Sequence, residues 1–523
     1  MRLDLLITNA AIRTLDPARP TATTIGIWQG RIVGLDDDVA GLDAVERVDL
    51  HGATVLPGFI DAHTHLQLVG QSMQAVDIGG ITEVDRALDR IAARAAEVPE
   101  DGWVTISGYD QRVLGRDLTA LELDRAVGPR RAWARHVSSH SSVVSTAVLD
   151  RIEDPALRAH PDVAVGLLEE GHQDVVRGQR LPYAIDDVAD AVALAADQAR
   201  AEGVTMCIEA GAGGWIGSLN PLDLEAFRRL QEQGRLPLRM QVMPSKDALH
   251  AVRGGDGFAR GLSLGLRTGM GADMLGIGPL KFVLDGGMMV RTAHLSEPYE
   301  GSEDRGALTE GADVLVADMA DAVAGGWQLA VHAIGDAALD VALDGFERAF
   351  AATPDHRGRH RIEHGGLIRD DQVPRLAALG IAVAGQACFL WDSGDDFAGQ
   401  VGEHRVPWLY RGRSLLDAGV PLIGSTDRPL PGTPLRAIQT AVERRSSTGR
   451  PLAPHEAITV TEAVATVTTT AAWAAGMEDR LGILAPGFLA DLVVLGADPF
   501  VVDTSEIADI PVLRTVVDGR FTS

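Results

Sequence analysis

Lysine is almost absent from this sequence. Of the 47 basic residues in the 523-residue chain, only Lys246 and Lys281 are lysines, which leaves 45 arginines. Arginine therefore supplies the general surface positive charge. A lysine inside an apolar strand, such as Lys281, calls for a specific structural or chemical explanation. Cysteine is equally scarce. Cys207 and Cys388 both lie in apolar runs, which indicates buried free thiols rather than a disulfide.

Other missing features narrow the functional class. No apolar run reaches membrane-spanning length, and the apolar stretch at the N-terminus is too short for a signal peptide. Acidic residues number 73, and the formal net charge of −26 argues against nucleic acid or an anionic membrane as a partner. We therefore expect a cytoplasmic protein whose partner is a small-molecule substrate, with a homodimer as one possible assembly.

Strands and helices alternate through the middle of the chain, which predicts an α/β fold. Eight core strands are predicted, over residues 59–63, 204–209, 238–243, 278–284, 328–332, 360–364, 381–386 and 420–425. This count is typical of a closed parallel (β/α)8 TIM barrel. An open doubly wound sheet is the alternative, but no GxGxxG follows the first strand, so a dinucleotide-binding fold has little support.

Three domain predictions follow from the same pattern. Short strands with Gly and Pro turns at both ends predict one small composite β-sandwich, made of residues 1–57 plus 479–523, because isolated hairpins are marginal in water. The barrel then occupies 58–478. Its first two strands are too far apart for an ordinary βα unit, so we expect an insertion over 67–183 that forms a lid or a substrate-facing subdomain. Segments 103–108 and 131–136 inside it read as strands.

The stretch PGFIDAHTHL, residues 57–66, contains the first candidate metal ligands. His63 and His65 are two residues apart at a strand end, so their imidazoles point to one side and can hold one ion. Polar residues also end later strands, and the carboxyl ends of barrel strands converge on one mouth. Four imidazoles and a carboxylate there fit a transition-metal site. The residues that converge are His63, His65, Lys281, His332, His364 and Asp427.

Lys281 bears on the number of metal ions. A cationic ammonium beside two divalent ions is strongly unfavourable, and burial lowers the pKa of a lysine. A neutral lysine can react with carbon dioxide, and the resulting carbamate is an anionic ligand able to bridge two ions. Arginine cannot do this because it stays protonated. The alternative interpretation is that Lys281 is a strand-end lysine that forms an ion pair. Lys246, after the third strand, is predicted to be a surface or rim charge.

These segments resemble the amidohydrolase superfamily, specifically the amidohydrolase-3 branch that includes N-substituted formamide deformylases. The matching segments are PGFIDAHTH, SSHSSVVSTAVL, KFVLDGG with the following RTA, HAIGDAA, RIEHG, STDRP and APGFLADLVVL. The resemblance implies two divalent ions, most simply zinc, and hydrolysis of a C–N bond by metal-activated hydroxide.

The same resemblance implies a role for each ligand. His63 and His65 would bind the more buried metal, and carboxylated Lys281 would bridge both ions. The second ion would be held by His332 and His364. Asp427 would bind the first ion and act as general base, then general acid.

The predicted substrate is an amide, an N-substituted formamide or a cyclic amide. Esters and lactones are alternatives, because the same chemistry attacks any activated acyl carbon. A mononuclear heterocycle deaminase is another, but such enzymes are expected to lack Lys281 and to carry a Glu soon after His332. A non-catalytic protein is disfavoured by the complete ligand set. Asp336 is predicted to be a helix N-cap, with a hydrogen-bond partner of a metal ligand as the alternative. The predicted substrate contacts are His140, Trp215, Arg291 and Trp391.

Overall fold

The computed structural model describes residues 2–214, 218–252, 257–355 and 358–522. The chain divides into two units: Met1–Thr64, Ala196–Trp215 and Phe227–Ser523 form the first, and His65–Ala195 and Ile216–Ala226 form the second. Within the described ranges, no helix combines the length and the apolar character needed to cross a membrane. Both cysteines are buried free thiols, as predicted.

Two parallel sheets form the centre of the first unit. The four-stranded sheet has the order Leu275–Ile277, Arg239–Pro244, Val204–Ala212, Phe59–Thr64, and the five-stranded sheet has the order Leu280–Val283, Leu329–Ala333, Arg361–His364, Ala382–Gly385, Leu422–Gly424. Four of these nine strands are buried along their whole length, and each of the others has one or two half-buried residues, as expected for parallel strands covered on both faces. The predicted α/β class is confirmed.

Contacts join the four-stranded sheet to both edge strands of the five-stranded sheet. A parallel bridge connects Ser245, after one strand of the first sheet, to Lys281 in the second. At the other edge, the backbone N–H of Asp427 donates to the carbonyl of His63 at 3.0 Å. The Asp61 carboxylate also accepts from the backbone N–H of Thr426 at 2.9 Å. The two hydrogen bonds place the first parallel strand, Phe59–Thr64, beside the last one, Leu422–Gly424.

Helices follow the strands and cover them. Helix Asp336–Ala352 buries Leu339, Leu343 and Phe346 completely, in one core with strand Leu329–Ala333. These apolar residues recur at the three- and four-residue spacing of one helix face. Further helices are Ile185–Ala201, Asp223–Glu232, Ala312–Ala324, Gln372–Leu379, Cys388–Val401, Arg413–Asp417, Pro434–Glu443, Val460–Thr466 and Thr469–Ala474.

The two ends of the chain share one six-stranded sheet, with the order Arg520–Thr522, Val512–Val517, Leu492–Leu495, Thr54–Pro57, Ala11–Arg13, Thr21–Ala22. A second sheet has the order Arg31–Leu35, Ile25–Trp28, Arg2–Thr8, Asp43–Asp49. Ile7, Ile27, Val55 and Leu492, from both sheets and both termini, are fully buried in one core. Neither end buries these side chains alone, so the pairing of the termini creates this core.

The second unit has its own five-stranded sheet, with the order Leu167–Glu169, Ser141–Val144, Arg131–His136, Trp103–Tyr109, Val76–Asp77. The two strands predicted over 103–108 and 131–136 are both present. Its core includes Ile91, Val104, Ile106 and Leu123. Its helices are Leu66–Gln74, Val84–Ala95, Gln111–Leu114, Ala120–Val127, Thr146–Leu149, Pro155–Arg158, Pro161–Val165 and Asp174–Arg180.

Candidate metal centre

Polar side chains cluster at the carboxyl ends of the parallel strands in the first unit. His63 lies near the end of strand Phe59–Thr64, and His65 follows it directly. Asp427 comes three residues after strand Leu422–Gly424. Ligand atoms of His63, His65 and Asp427 all lie within 4.8 Å of one another, which is close enough for one ion to bind all three. The structure thus brings Asp427 to two histidines that lie more than 360 positions earlier in the sequence.

The other predicted ligands of this cluster adjoin His63. The Nζ of Lys281 lies 3.2 Å from the Nε2 of His63, which itself lies 3.7 Å from the Oδ1 of Asp427. The ring centroid of His364 is 5.1 Å from that of His63 and 4.5 Å from that of His332. Asp427 also faces His364, with 3.8 Å between Oδ2 and Nδ1. Asp427 therefore lies between the two groups of imidazoles.

Two of these residues have an unusual backbone. His364 has φ of 72° and Asp427 has φ of 51°, the left-handed region that residues other than glycine seldom adopt. Asp tolerates this region better than His does, because its short polar side chain can bond locally. Such conformations cost about 1–3 kcal/mol and persist where the surrounding structure enforces them, which is typical of functional sites.

A buried carboxylate orients His63. Glu363 contacts the Nδ1 of His63 and accepts a 2.6 Å hydrogen bond from the Nε of Arg361. Because Nδ1 is engaged by Glu363, Nε2 is the nitrogen that can serve as a metal ligand, an arrangement common around metal-binding histidines. Burial alone would raise the pKa of Glu363, but Arg361 and His63 outweigh it and lower that pKa to about 2. Glu363 is therefore an anion at neutral pH.

Gln386 orients the imidazole of His364 in the same way. The Oε1 of Gln386 is 2.8 Å from the Nδ1 of His364, so that nitrogen donates and Nε2 carries the lone pair. The amide of Gln386 is held in turn, because its Nε2 donates to the hydroxyl of Ser425 at 2.8 Å and to the carbonyl of Ala384 at 3.1 Å. The side chain of Gln386 is completely buried. Its orientation is therefore determined by three partners.

A third buried group, Asp285, holds the loop after His332. Its carboxylate accepts from the backbone N–H groups of Ile334 at 3.0 Å, Gly335 at 2.8 Å and His294 at 2.9 Å. It also lies 3.3 Å from the Nε2 of His332. Sequence reasoning missed Asp285, Glu363 and Gln386. Asp285 and Glu363 stand inside the KFVLDGG and RIEHG segments that were used for Lys281 and His364, whereas Gln386 ends the predicted strand 381–386 and stands in no such segment.

The electrostatics of the cluster fit a divalent metal ion. Burial, followed by the nearby Lys281 charge, lowers the pKa of His63 to about 4. Burial and the neighbouring His332 also lower the pKa of His364 well below its usual value. Both imidazoles are therefore neutral at pH 7 and can donate a lone pair. Burial lowers the pKa of Lys281 to about 8, although Glu363 and Asp427 oppose the shift, so its neutral form is accessible.

The predicted substrate contacts are scattered over the chain. His140 belongs to the second unit, where its Nδ1 lies 3.1 Å from the Oε1 of Glu170. Arg291 is exposed, and Trp391 is half-buried on helix Cys388–Val401 with the Arg436 guanidinium 4.4 Å from its ring. Trp215 lies outside the described residues. A substrate role for each of the four stays a prediction.

Two other sequence predictions are wrong. Helix Asp336–Ala352 is capped by Gly335, and Asp336 is its first helical residue. The buried carboxylate of Asp336 instead accepts from the Ser296 backbone N–H at 2.9 Å and from the Arg369 guanidinium at 3.0 Å. Lys246 is also no surface charge. It is only 8% exposed, and it forms ion pairs with Glu310 and Asp318.

We expect Glu363→Gln to weaken metal binding by about ten- to a hundredfold, because a neutral amide no longer orients His63 or raises its basicity. Competition with a chromophoric chelator measures this affinity. Glu347→Gln is the matched control, since Glu347 is half exposed and pairs only with Arg375 among the contacts described for it. Equal metal affinity in the two variants would contradict the orienting role of Glu363.

The chain is similar to several known proteins over nearly its whole length. The model of the amidohydrolase family matches residues 46–523. The chain is 30% identical to N-substituted formamide deformylase from Arthrobacter pascens, over 99% of this chain and 97% of that protein. It is 29% identical to Protein LONG AFTER FAR-RED 3 from Arabidopsis thaliana, over 99% and 91%. Among solved structures, an uncharacterized metal-dependent hydrolase from Pyrococcus horikoshii OT3 has a TM-score of 0.77 at 25% identity, covering 96% of this chain and 99% of that one.

Proposed function

Because this chain belongs to the amidohydrolase family, we propose that it hydrolyses an amide, an N-substituted formamide or a cyclic amide at the centre described above. The broader activity is that of a metal-dependent amidohydrolase acting on C–N bonds other than peptide bonds. The observation that carries the proposed site is the convergence of His63, His65 and Asp427 within 4.8 Å. A relative of 30% identity named N-substituted formamide deformylase supports the formamide as a candidate substrate.

The proposed architecture is a (β/α)8 barrel over 58–478. The Ser245–Lys281 bridge and the hydrogen bond between Asp427 and His63 support closure, since they link the four-stranded sheet to both edge strands of the five-stranded sheet. The proposal further assigns 1–57 plus 479–523 to a composite β-sandwich and 67–183 to an insertion in the first barrel loop. The six-stranded sheet built from both termini supports the first of these assignments.

Two divalent ions, most simply zinc, are proposed to occupy the centre. His63, His65 and Asp427 would hold one, His332 and His364 the other, and carboxylated Lys281 would bridge them. Support comes from Lys281, which is 5% exposed, has a lowered pKa and is one of only two lysines in the chain. Ions bound there would supply Lewis acidity, which polarises the substrate carbonyl and acidifies water.

The protein's own groups then move the proton. Asp427 lies between His63 and His364, so a water molecule at the centre is within reach of its carboxylate. Asp427 accepts a proton from that water as it attacks the carbonyl carbon, and returns the proton to the leaving amine. Glu363 and Gln386 hold the two imidazoles in place during these steps. Their burial keeps solvent from competing for the same hydrogen bonds.

A substrate panel tests the reaction. Protein loaded with zinc is assayed with N-substituted formamides, cyclic amides, esters and amino-substituted heterocycles, and the released amine, acid or ammonia is measured. We expect amine release from a formamide or ring opening of a cyclic amide, lost after chelation and restored by zinc. Hydrolysis of esters alone would identify an esterase, and release of ammonia from a heterocycle alone would identify a deaminase. Either result would overturn the proposal.

Elemental analysis of zinc-supplemented protein tests the metal count. We expect two ions per chain, because six candidate ligands converge on the centre. The matched comparison is His332→Ala, which should retain one ion, since His63, His65 and Asp427 remain. A single ion per chain in the unaltered protein would contradict the binuclear arrangement and leave the mononuclear one.

A further inference from the structure

Tyr410 differs from the other buried tyrosines of this chain. Three of the four tyrosines are buried. The hydroxyl of Tyr109 donates to the Asp117 carboxylate. The hydroxyl of Tyr299 donates to the carbonyl of Ala293 at 2.8 Å. Tyr410 is only 6% exposed, yet its hydroxyl forms no hydrogen bond with any residue that the structure describes. Because a buried hydroxyl without a partner destabilises a fold, this one indicates a partner from outside the chain.

The backbone of Tyr410 is also unfavourable by itself. Its φ of 42° lies in the left-handed region, which bulky residues seldom adopt. The backbone N–H of Tyr410 donates to the carbonyl of Gly366 at 3.1 Å, and an antiparallel bridge joins the neighbouring residues Leu367 and Leu409. Tyr410 is thereby fixed to the loop that begins directly after His364, one of the candidate metal ligands.

A buried arginine holds this conformation in place. The guanidinium of Arg444 donates to the carbonyl of Tyr410 at 2.7 Å and to that of Leu409 at 2.9 Å. Arg444 is 2% exposed, and burial lowers its pKa to about 10, a shift that Glu456 opposes only in part. The fold therefore keeps a costly buried charge where it fixes a strained residue, which is typical of functional sites.

The phenol lies close to acidic groups on two sides of the metal centre. Burial raises the pKa of Tyr410 well above its usual value, and Asp427 is the first of the charges that raise it further, with Asp285 another. Asp427 faces His364, whereas Asp285 lies beside His332. The phenol is therefore protonated at neutral pH, and near this centre it is available as a neutral hydrogen-bond donor.

Aromatic neighbours fix the direction of the Tyr410 ring. The ring of Phe389 meets it edge-on, with 5.8 Å between the centroids, and the ring of Phe397 stacks on it at 6.1 Å. Both phenylalanines are buried and belong to helix Cys388–Val401. These contacts use the ring and not the hydroxyl, so a phenylalanine at position 410 would keep them.

We propose that the Tyr410 hydroxyl donates a hydrogen bond to the acyl oxygen of the bound amide or formamide. The inference rests on the proposed hydrolysis and adds a catalytic residue to it. When the water that has given its proton to Asp427 adds to the carbonyl carbon, the π electrons of the carbonyl move onto this oxygen. The hydrogen bond from Tyr410 then strengthens without transferring its proton. The proton on Asp427 still goes to the leaving amine.

Tyr410→Phe distinguishes this role from a structural one. Steady-state kinetics of the zinc-loaded protein on a substrate from the panel should show kcat about ten- to a hundredfold lower with KM nearly unchanged, because the lost hydrogen bond is strongest in the transition state. The melting temperature of chelator-treated protein should stay the same or rise. The substitution removes an unpaired buried hydroxyl and keeps the ring packing, so it costs no folding interaction.

Tyr109→Phe is the matched control, because it removes a buried hydroxyl that has a partner, in the second unit. It should lower the melting temperature and leave kcat unchanged. If Tyr410→Phe lowered the melting temperature as much as Tyr109→Phe does, the hydroxyl would have a structural partner and the inference would be overturned. A kcat equal to that of the unaltered protein would also overturn it. Absence of hydrolysis by the unaltered protein would instead overturn the proposed function, and this inference with it.

Discussion

Asp427→Asn should lower turnover by about 10²- to 10⁴-fold while the protein stays folded. The amide can still contact a metal ion through its oxygen, but it cannot accept the proton that the attacking water releases. Asn is the appropriate replacement because Asp427 has φ of 51°, a conformation that Asn adopts readily and most other residues do not. Steady-state kinetics on a hydrolysed substrate measure the loss, with circular dichroism and metal content measured on the same preparation.

The control for Asp427→Asn is Asp371→Asn. The Asp371 carboxylate is 67% exposed and pairs with Arg369, so the same chemical change occurs away from the centre. We expect that variant to keep full turnover. Turnover close to the unaltered protein in Asp427→Asn would remove Asp427 from the proton-transfer role, whatever its part in metal binding.

Lys281→Ala should lose one metal ion and most activity, and a short-chain carboxylic acid added to the solution should partly restore both. This result is expected if carboxylated Lys281 bridges the ions, because a free carboxylate can occupy the bridging position. Lys281→Arg should remain inactive with or without the acid, since guanidinium neither loses its proton nor forms a carbamate. Metal content and turnover, each measured with and without added acid, distinguish these outcomes.

The other lysine of the chain, Lys246, provides a control for Lys281. Lys246 forms ion pairs with Glu310 and Asp318, and arginine can form these equally well. Lys246→Arg should therefore keep both ions and full activity. If Lys281→Arg behaved in the same way, Lys281 would be an ion-pairing residue, and the carboxylated lysine would be ruled out.

The strands and the main ligand candidates could be predicted from the sequence because their signals are local. A buried parallel strand is a continuous apolar run, and a histidine at its end interrupts that run visibly. His332 ends such a run in strand Leu329–Ala333, and His364 ends strand Arg361–His364. The strands at 103–108 and 131–136 in the second unit were predictable for the same reason.

Asp336 and Lys246 were misassigned because their partners lie far away in the sequence. Asp336 precedes a helix and resembles a cap in sequence, yet its partners are Ser296 and Arg369, 40 and 33 positions away. Lys246 follows a strand as a rim residue would, yet Glu310 and Asp318 enclose it from a later segment. In each case a distant carboxylate or cation determines burial, and nothing near the residue in the sequence indicates that partner.

By itself, the sequence determined the α/β alternation, the scarcity of lysine that singles out Lys281, and the strand ends that deliver the candidate ligands. Only the tertiary structure decided which groups orient those ligands. Glu363 meets His63 across 300 positions, and Gln386 meets His364 from the next strand of the sheet. The physical reason is that a buried polar group takes whichever partner the packed strands place within about 3 Å. That partner is selected by strand order and register, which no short segment contains.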